Sequence, residues 1–141
     1  MAVVTHDTQY VGLVLVSHSG EIVAGLAGLV GQVAGPDVPI ATAGGMPDGS
    51  FGSDGGQVLD VLRSAANGAG AGAVVLMDLG SSVLAVRAAL VELEPEELER
   101  IVVVDAPLVE GAVAAGVTAS TGADLAEVAD AAREAVHVSK L

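Results

Sequence analysis

Residues 10–36, YVGLVLVSHSGEIVAGLAGLVGQVAGP, decide the fold. From Tyr10 to Val16 the run is short, apolar and rich in valine, and it ends on a His-Ser-Gly turn signal. That pattern predicts a strand buried on both faces. Beyond the turn the apolar period lengthens. Ile22, Leu26, Leu29, Val30 and Val33 recur at helical spacing until Gly35 and Pro36 stop the segment. The stretch therefore reads as strand, turn and helix.

The same unit returns twice downstream. Val38 to Ala43 precedes a glycine-rich loop and the helical pattern Val58, Leu62, Ala66; Ala73 to Met77 precedes Val83, Val86, Leu90. Ile101 to Val104 reads as a fourth strand. Leu108 to Val117 is apolar without a deciding period, whereas Asp124 to Val136 reads as a closing helix with Asp124 and Glu127 spaced as a capping box. The Glu92 to Arg100 connection reads as a solvated surface with a few local ion pairs. Strands that alternate with helices need crossover connections. The expected fold class is therefore α/β, a three-layer sandwich with a mainly parallel four-stranded sheet and helices on both faces. One domain is expected over residues 10–141, preceded by a flexible leader over residues 1–9.

Composition narrows the function. At 141 residues the chain has the length of one domain with a real core. Its abundance of Ala, Val and Gly, with a single Phe and a single Tyr, favours close packing by small aliphatic groups. A formal charge of -13 with five Lys and Arg would repel a phosphate backbone, so nucleic acid is disfavoured as a partner. The same excess suits either docking on a basic protein face or plain solvation. The apolar runs are broken before they could cross a bilayer and no charged start with a cleavage-like site is seen, so a cytoplasmic protein without a membrane partner is expected. With no cysteine, and with His6, His18 and His137 sharing no ligand spacing, no metal site is expected.

In doubly wound sheets, ligands bind at the carboxyl ends of the strands, where neighbouring connections leave toward opposite faces. Four loops qualify: Ser17-His18-Ser19-Gly20, Gly44-Gly45 through Gly55-Gly56, Asp78-Leu79-Gly80-Ser81-Ser82, and Asp105-Ala106-Pro107. His18 follows a buried strand directly and sits at the mouth of a helix. A neutral imidazole is a good nucleophile, and a phosphate on it would lie against unpaired N–H groups and the positive end of a helix dipole. An imidazole attacking through one nitrogen needs the other to donate a hydrogen bond, and Asp78 is the candidate acceptor if the first and third strands are neighbours. The plainer roles are a hydrogen-bonded loop histidine for His18 and helix caps for Asp78, Ser81 and Ser82; the glycines are first of all turn residues. His6 and His137 have no catalytic setting.

The ordered set Val14-Leu15-Val16-Ser17-His18-Ser19, then Ala43-Gly44-Gly45, then Met77-Asp78-Leu79-Gly80-Ser81, resembles the phosphotransferase subunit of phosphotransferase-dependent dihydroxyacetone kinase, within the mannose-type EIIA family. The resemblance runs from Tyr10 to about Val136. It implies a parallel sheet of order 2-1-3-4, a homodimer, and a shuttle. In that shuttle a histidine takes phosphate from phosphorylated HPr and passes it to ADP held on the nucleotide-binding kinase subunit (DhaL). No cofactor of its own is implied, ADP or ATP and magnesium belonging to the partner subunit. Position by position, His18 matches the phosphorylated histidine and Asp78 the aspartate that orients it. Gly44, Gly45 and Gly52-Ser53 match the second-loop motif, in which threonine is commoner than Ser53. Phosphate contacts are expected from Ser17, Ser19, Gly20, Gly45, Ser53, Gly80 and Ser81.

Rival readings fail on motifs. A nucleotide-binding module would need Gly-x-x-x-x-Gly-Lys or Gly-x-Gly-x-x-Gly; the single lysine is Lys140 and the turn after the first strand has neither pattern. Ser17 and Ser19 do not sit in Gly-x-Ser-x-Gly, which disfavours a serine hydrolase. A non-catalytic regulatory or interaction domain of this fold, or a mannose-type EIIA serving another sugar, would share the motifs.

Overall fold

Four strands, β1 (Gly12–Ser17), β2 (Ile40–Gly44), β3 (Ala73–Met77) and β4 (Ile101–Val103), pair in parallel in the order β2-β1-β3-β4 in the computed structural model. This is the order implied by the resemblance. The structure describes residues 8–141; His6 and the expected leader, apart from Thr8 and Gln9, lie outside the described residues. The helices are α1 (Gly20–Ala34), α2 (Gly55–Asn67), α3 (Gly80–Glu92), α4 (Pro95–Leu98), α5 (Leu108–Ala119) and α6 (Leu125–Glu134), closed by a 3-10 turn at Ala135–His137.

The strand period of two sorts the core into two layers. Leu13 and Leu15 of β1, with Val74 and Leu76 of β3, pack on α1, α5 and α6. Val14 and Val16, with Ala73 and Val75, pack on α2 and α3. Every residue of β1 is buried, as its continuous apolar run requires. Each Leu or Val removed from water in this way contributes about 1.5–3 kcal/mol against the chain entropy lost on folding.

The structure settles two points that the sequence pattern left open and corrects a third. The core face of α1 is Val23, Leu26, Val30 and Ala34, whereas Ile22, Leu29 and Val33 are nearly half exposed. The helix is apolar almost all round, so periodicity alone does not choose its inner face. Leu108 to Val117, undecided by pattern, lies in α5. Its packing face is made of Gly111, Ala112, Ala115, Gly116 and Ala119, residues too small to give a strong period. A Cβ on Gly116 would stand 2.7 Å from Val30 Cγ1, so glycine there lets α5 close on α1. The Glu92 to Arg100 connection is more than a solvated surface. It contains α4, capped by Glu94 and Glu97, and the Glu97 carboxylate is buried. That carboxylate accepts from Glu94 N at 2.8 Å, Asn67 Nδ2 at 2.7 Å and Arg63 Nε at 3.3 Å. The Glu94 N–H, then Asn67, holds its pKa below the ordinary range. The Asp124–Glu127 capping box forms as expected.

Candidate active site

The site is a product of register. Val16 of β1 pairs with Met77 of β3, and Asp78 N donates to Val16 O at 3.1 Å, so the residues just past both strands come side by side. On the other flank Ser17 pairs with Gly44. There α1 starts so close to β2 that a Cβ on Gly44 would stand 2.7 Å from Ser19 O and 2.5 Å from Val23 Cγ2. The first, second and third loops therefore meet at one sheet edge.

His18 Nδ1 lies 2.7 Å from Asp78 Oδ2. The same oxygen accepts from Ser17 Oγ at 2.6 Å and from His18 N at 3.3 Å, while Oδ1 accepts from Leu79 N at 2.6 Å and Ser82 Oγ at 2.8 Å. Burial alone would raise the Asp78 pKa. The hydrogen bonds from Ser17, Ser82, Leu79 N and His18 outweigh it and bring the group down to about 2. An ionised carboxylate can only accept, so the proton of the His18–Asp78 contact sits on Nδ1. Nε2 then carries the lone pair, on a side chain that is 28% exposed.

The other expected residues take different places. Ser17, expected as a phosphate contact, is hydrogen-bonded to Asp78 and Ser19. It is fully buried, donates to Asp78 and accepts from Ser19 N at 3.0 Å. Ser19 is the N-cap of α1, its hydroxyl accepting from Ile22 N, which leaves the first-turn N–H groups of Gly20 and Glu21 without helical partners. Gly45 bridges to Ser53 in parallel register. Gly80 and Ser81 open α3, whose N-cap is Leu79, so neither Ser81 nor Ser82 caps it as expected. Ser53 Oγ lies 3.1 Å from Ser82 Oγ and 3.5 Å from Ser81 Oγ, tying the second loop to the third. The fourth loop stands apart: Asp105 lines a groove with Met77 and Arg87 and makes no bond to the His18–Asp78 pair.

Two residues beside the His18–Asp78 pair take places that the sequence reading did not give them. Ser82 is fully buried beneath the carboxylate. Phe51 packs tilted against the imidazole, its ring centroid 5.9 Å from that of His18, while Gly52 N donates to His18 O at 2.8 Å. The one available signal for Phe51 was its rarity, a single Phe placed in a glycine-rich loop of the candidate site.

Comparison with known proteins identifies the family of the chain. The model of the EIIA-man family, described as the PTS system fructose IIA component, matches residues 12–129. The chain belongs to that family. Among EIIA-man relatives, a Listeria innocua protein named "PEP-dependent dihydroxyacetone kinase 2, phosphoryl donor subunit DhaM" is 36% identical over 76% of this chain and 84% of its own length. The Escherichia coli phosphoryl donor subunit DhaM is also 36% identical, over 92% of this chain, but the match spans 28% of that longer protein. The crystal structure of a protein of unknown function, EF1359, superposes with a TM-score of 0.78 at 34% identity, covering 88% of this chain and 93% of the other. The resemblance to the dihydroxyacetone kinase subunit is thus borne out by relatives of that name. Among the described residues no helix is long and apolar enough to cross a membrane.

Proposed function

We propose that this EIIA-man chain is a phosphocarrier that holds a phosphoryl group on His18 Nε2. It would accept the group from phosphorylated HPr and pass it to ADP bound, with magnesium, on the nucleotide-binding subunit of a dihydroxyacetone kinase. The observation that carries the reading is the 2.7 Å contact between His18 Nδ1 and the ionised Asp78, which leaves Nε2 as the free nucleophile. In the first step the Nε2 lone pair forms a bond to phosphorus as the donor's N–P bond breaks. The donor imidazole leaves with that electron pair. The Nδ1 proton stays in place, and Asp78 balances the positive charge that develops on the ring. The N–H groups of Gly20 and Glu21, at the start of α1, and those of Gly80 and Ser81, at the start of α3, are the proposed phosphate donors, with Gly45 and the Ser53 hydroxyl closing the cradle. The second step reverses the first toward ADP.

The names of the relatives favour dihydroxyacetone kinase over sugar transport as the destination. A homodimer working in the cytoplasm completes the reading, and sedimentation as a monomer at micromolar concentration would overturn the dimer. The central test is incubation with enzyme I, HPr and phosphoenolpyruvate. The expected product is an acid-labile, base-stable phosphate on His18, absent from His18→Ala, and discharged by the ADP-loaded kinase subunit. An unmodified wild-type chain would overturn the proposal and leave a non-catalytic domain.

A further inference from the structure

We infer that Phe51 is the docking anchor for the protein that delivers the phosphoryl group, a carrier presenting phosphohistidine on an apolar and basic face. The inference rests on His18 being a phosphocarrier. Phe51 is 78% exposed although it is the chain's single phenylalanine, and its ring stands 5.9 Å from the imidazole that must be reached. Transfer brings the reacting atoms within about 3–3.5 Å of each other. A protein surface that comes so near Nε2 has to cover Phe51 on the way. Aromatic side chains covered at the centre of an interface are its usual energetic anchors.

The surroundings state the partner's chemistry. The depression beside the ring is lined by Ser19, Gly20, Glu21, Gly45, Met46 and Phe51, among others, and Met46 adds a second exposed apolar group. Glu21 gives this rim a negative charge, and Asp48 adds another from the loop that carries Phe51. None of the described basic side chains lines the depression. Arg63, Arg133 and Lys140 pair with Glu97, Asp130 and Glu110, Arg100 bonds the carbonyls of Gly68 and Gly70, and Arg87 lines the groove beside β4. With a formal charge of -13 behind it, an apolar spot of this kind selects a face with an apolar centre and a basic rim.

The test compares two donors on the full chain and on Phe51→Ala, whose side chain is exposed enough to leave the fold intact. With phosphorylated HPr, Phe51→Ala should need about tenfold more donor for half-maximal labelling of His18, with the limiting rate kept, and Phe51→Leu should recover most of the loss. With phosphoramidate, a small donor that docks on no surface, both chains should label at the same rate. Unchanged dependence on phosphorylated HPr would overturn the inference. An equal loss with phosphoramidate would also overturn it, because the ring would then be positioning the imidazole. A wild-type chain that phosphoramidate labels and phosphorylated HPr does not would overturn the proposed donor itself, and this inference with it.

Discussion

Ser82, buried in the first turn of α3, donates its hydroxyl at 2.8 Å to the one oxygen of Asp78 that His18 does not use. The carboxylate is thus gripped from both sides, by Ser17 on the oxygen that faces the imidazole and by Ser82 on the other. His18 meets an acceptor that cannot rotate away.

Removing the far grip should be felt at the near one. Ser82→Ala deletes one hydrogen bond to a charged group and leaves Ser53 Oγ without its closer hydroxyl partner. The expected cost is about 1 kcal/mol of stability and a roughly fivefold slower labelling of His18, because Asp78 gains freedom to leave the Nδ1 proton. Denaturant titration and rapid-quench labelling check the two effects. A normal rate in a destabilised protein would reduce Ser82 to a packing role.

Asp78→Asn keeps the shape and removes the charge. Its amide can donate to Nδ1, which would move the imidazole proton to Nε2 and block the nucleophile. Labelling should fall by about 10²–10⁴-fold while the far-ultraviolet circular dichroism stays native. A labelling rate within a few-fold of wild type would show that the carboxylate's charge and the tautomer it imposes do not matter.

The parts of this site legible in the sequence are those fixed by strand order. His18 and Asp78 each follow an apolar run, and a parallel β1–β3 pair brings such positions together whatever the helices do. The roles of Ser17 and Ser82 were not legible, since they depend on which way a hydroxyl turns at a strand end and on α3 starting at Gly80 rather than later. Phe51 escaped for a related reason: its loop has no period, and only the loop's path lays the ring on His18. In the fold, the strands and α2 were legible because valines and leucines mark their buried faces. The inner faces of α1 and α5 were not, because one is apolar on every side and the other packs through Gly and Ala.

The lowered Asp78 pKa sets an acid limit. Its folded value of about 2 lies below the ordinary 3.8, so the folded state gains stability from the ionised group above pH 4. That gain fades as pH falls from about 4 toward 2, where the native carboxylate takes up its proton. Wild type should therefore lose about 1–2 kcal/mol more than Asp78→Asn across this window, allowing for solvent screening. Urea midpoints at pH 5, 4, 3 and 2 test it. Parallel curves for the two proteins would mean that the fold does not favour the ionised form of Asp78.

Two glycine substitutions separate the catalytic edge from the surface of the same helix. At Gly44 a new Cβ would meet Ser19 O and Val23 Cγ2 at 2.7 and 2.5 Å, and Ser19 O accepts the bond from Val23 N that begins α1. Gly44→Ala must push the start of α1 away from β2, at a cost of about 1–3 kcal/mol. That movement carries the Gly20 N–H away from His18, so labelling should fall even at temperatures where the variant is fully folded. At Gly28, in the exposed middle of α1, a Cβ meets nothing within 4 Å. Gly28→Ala should raise stability by about 0.5–1 kcal/mol, because alanine has less chain entropy to lose in a helix, and should leave labelling unchanged. If Gly44→Ala labels normally while folded, the close approach of α1 to β2 serves packing alone and the first-turn N–H groups of α1 do not hold the phosphate.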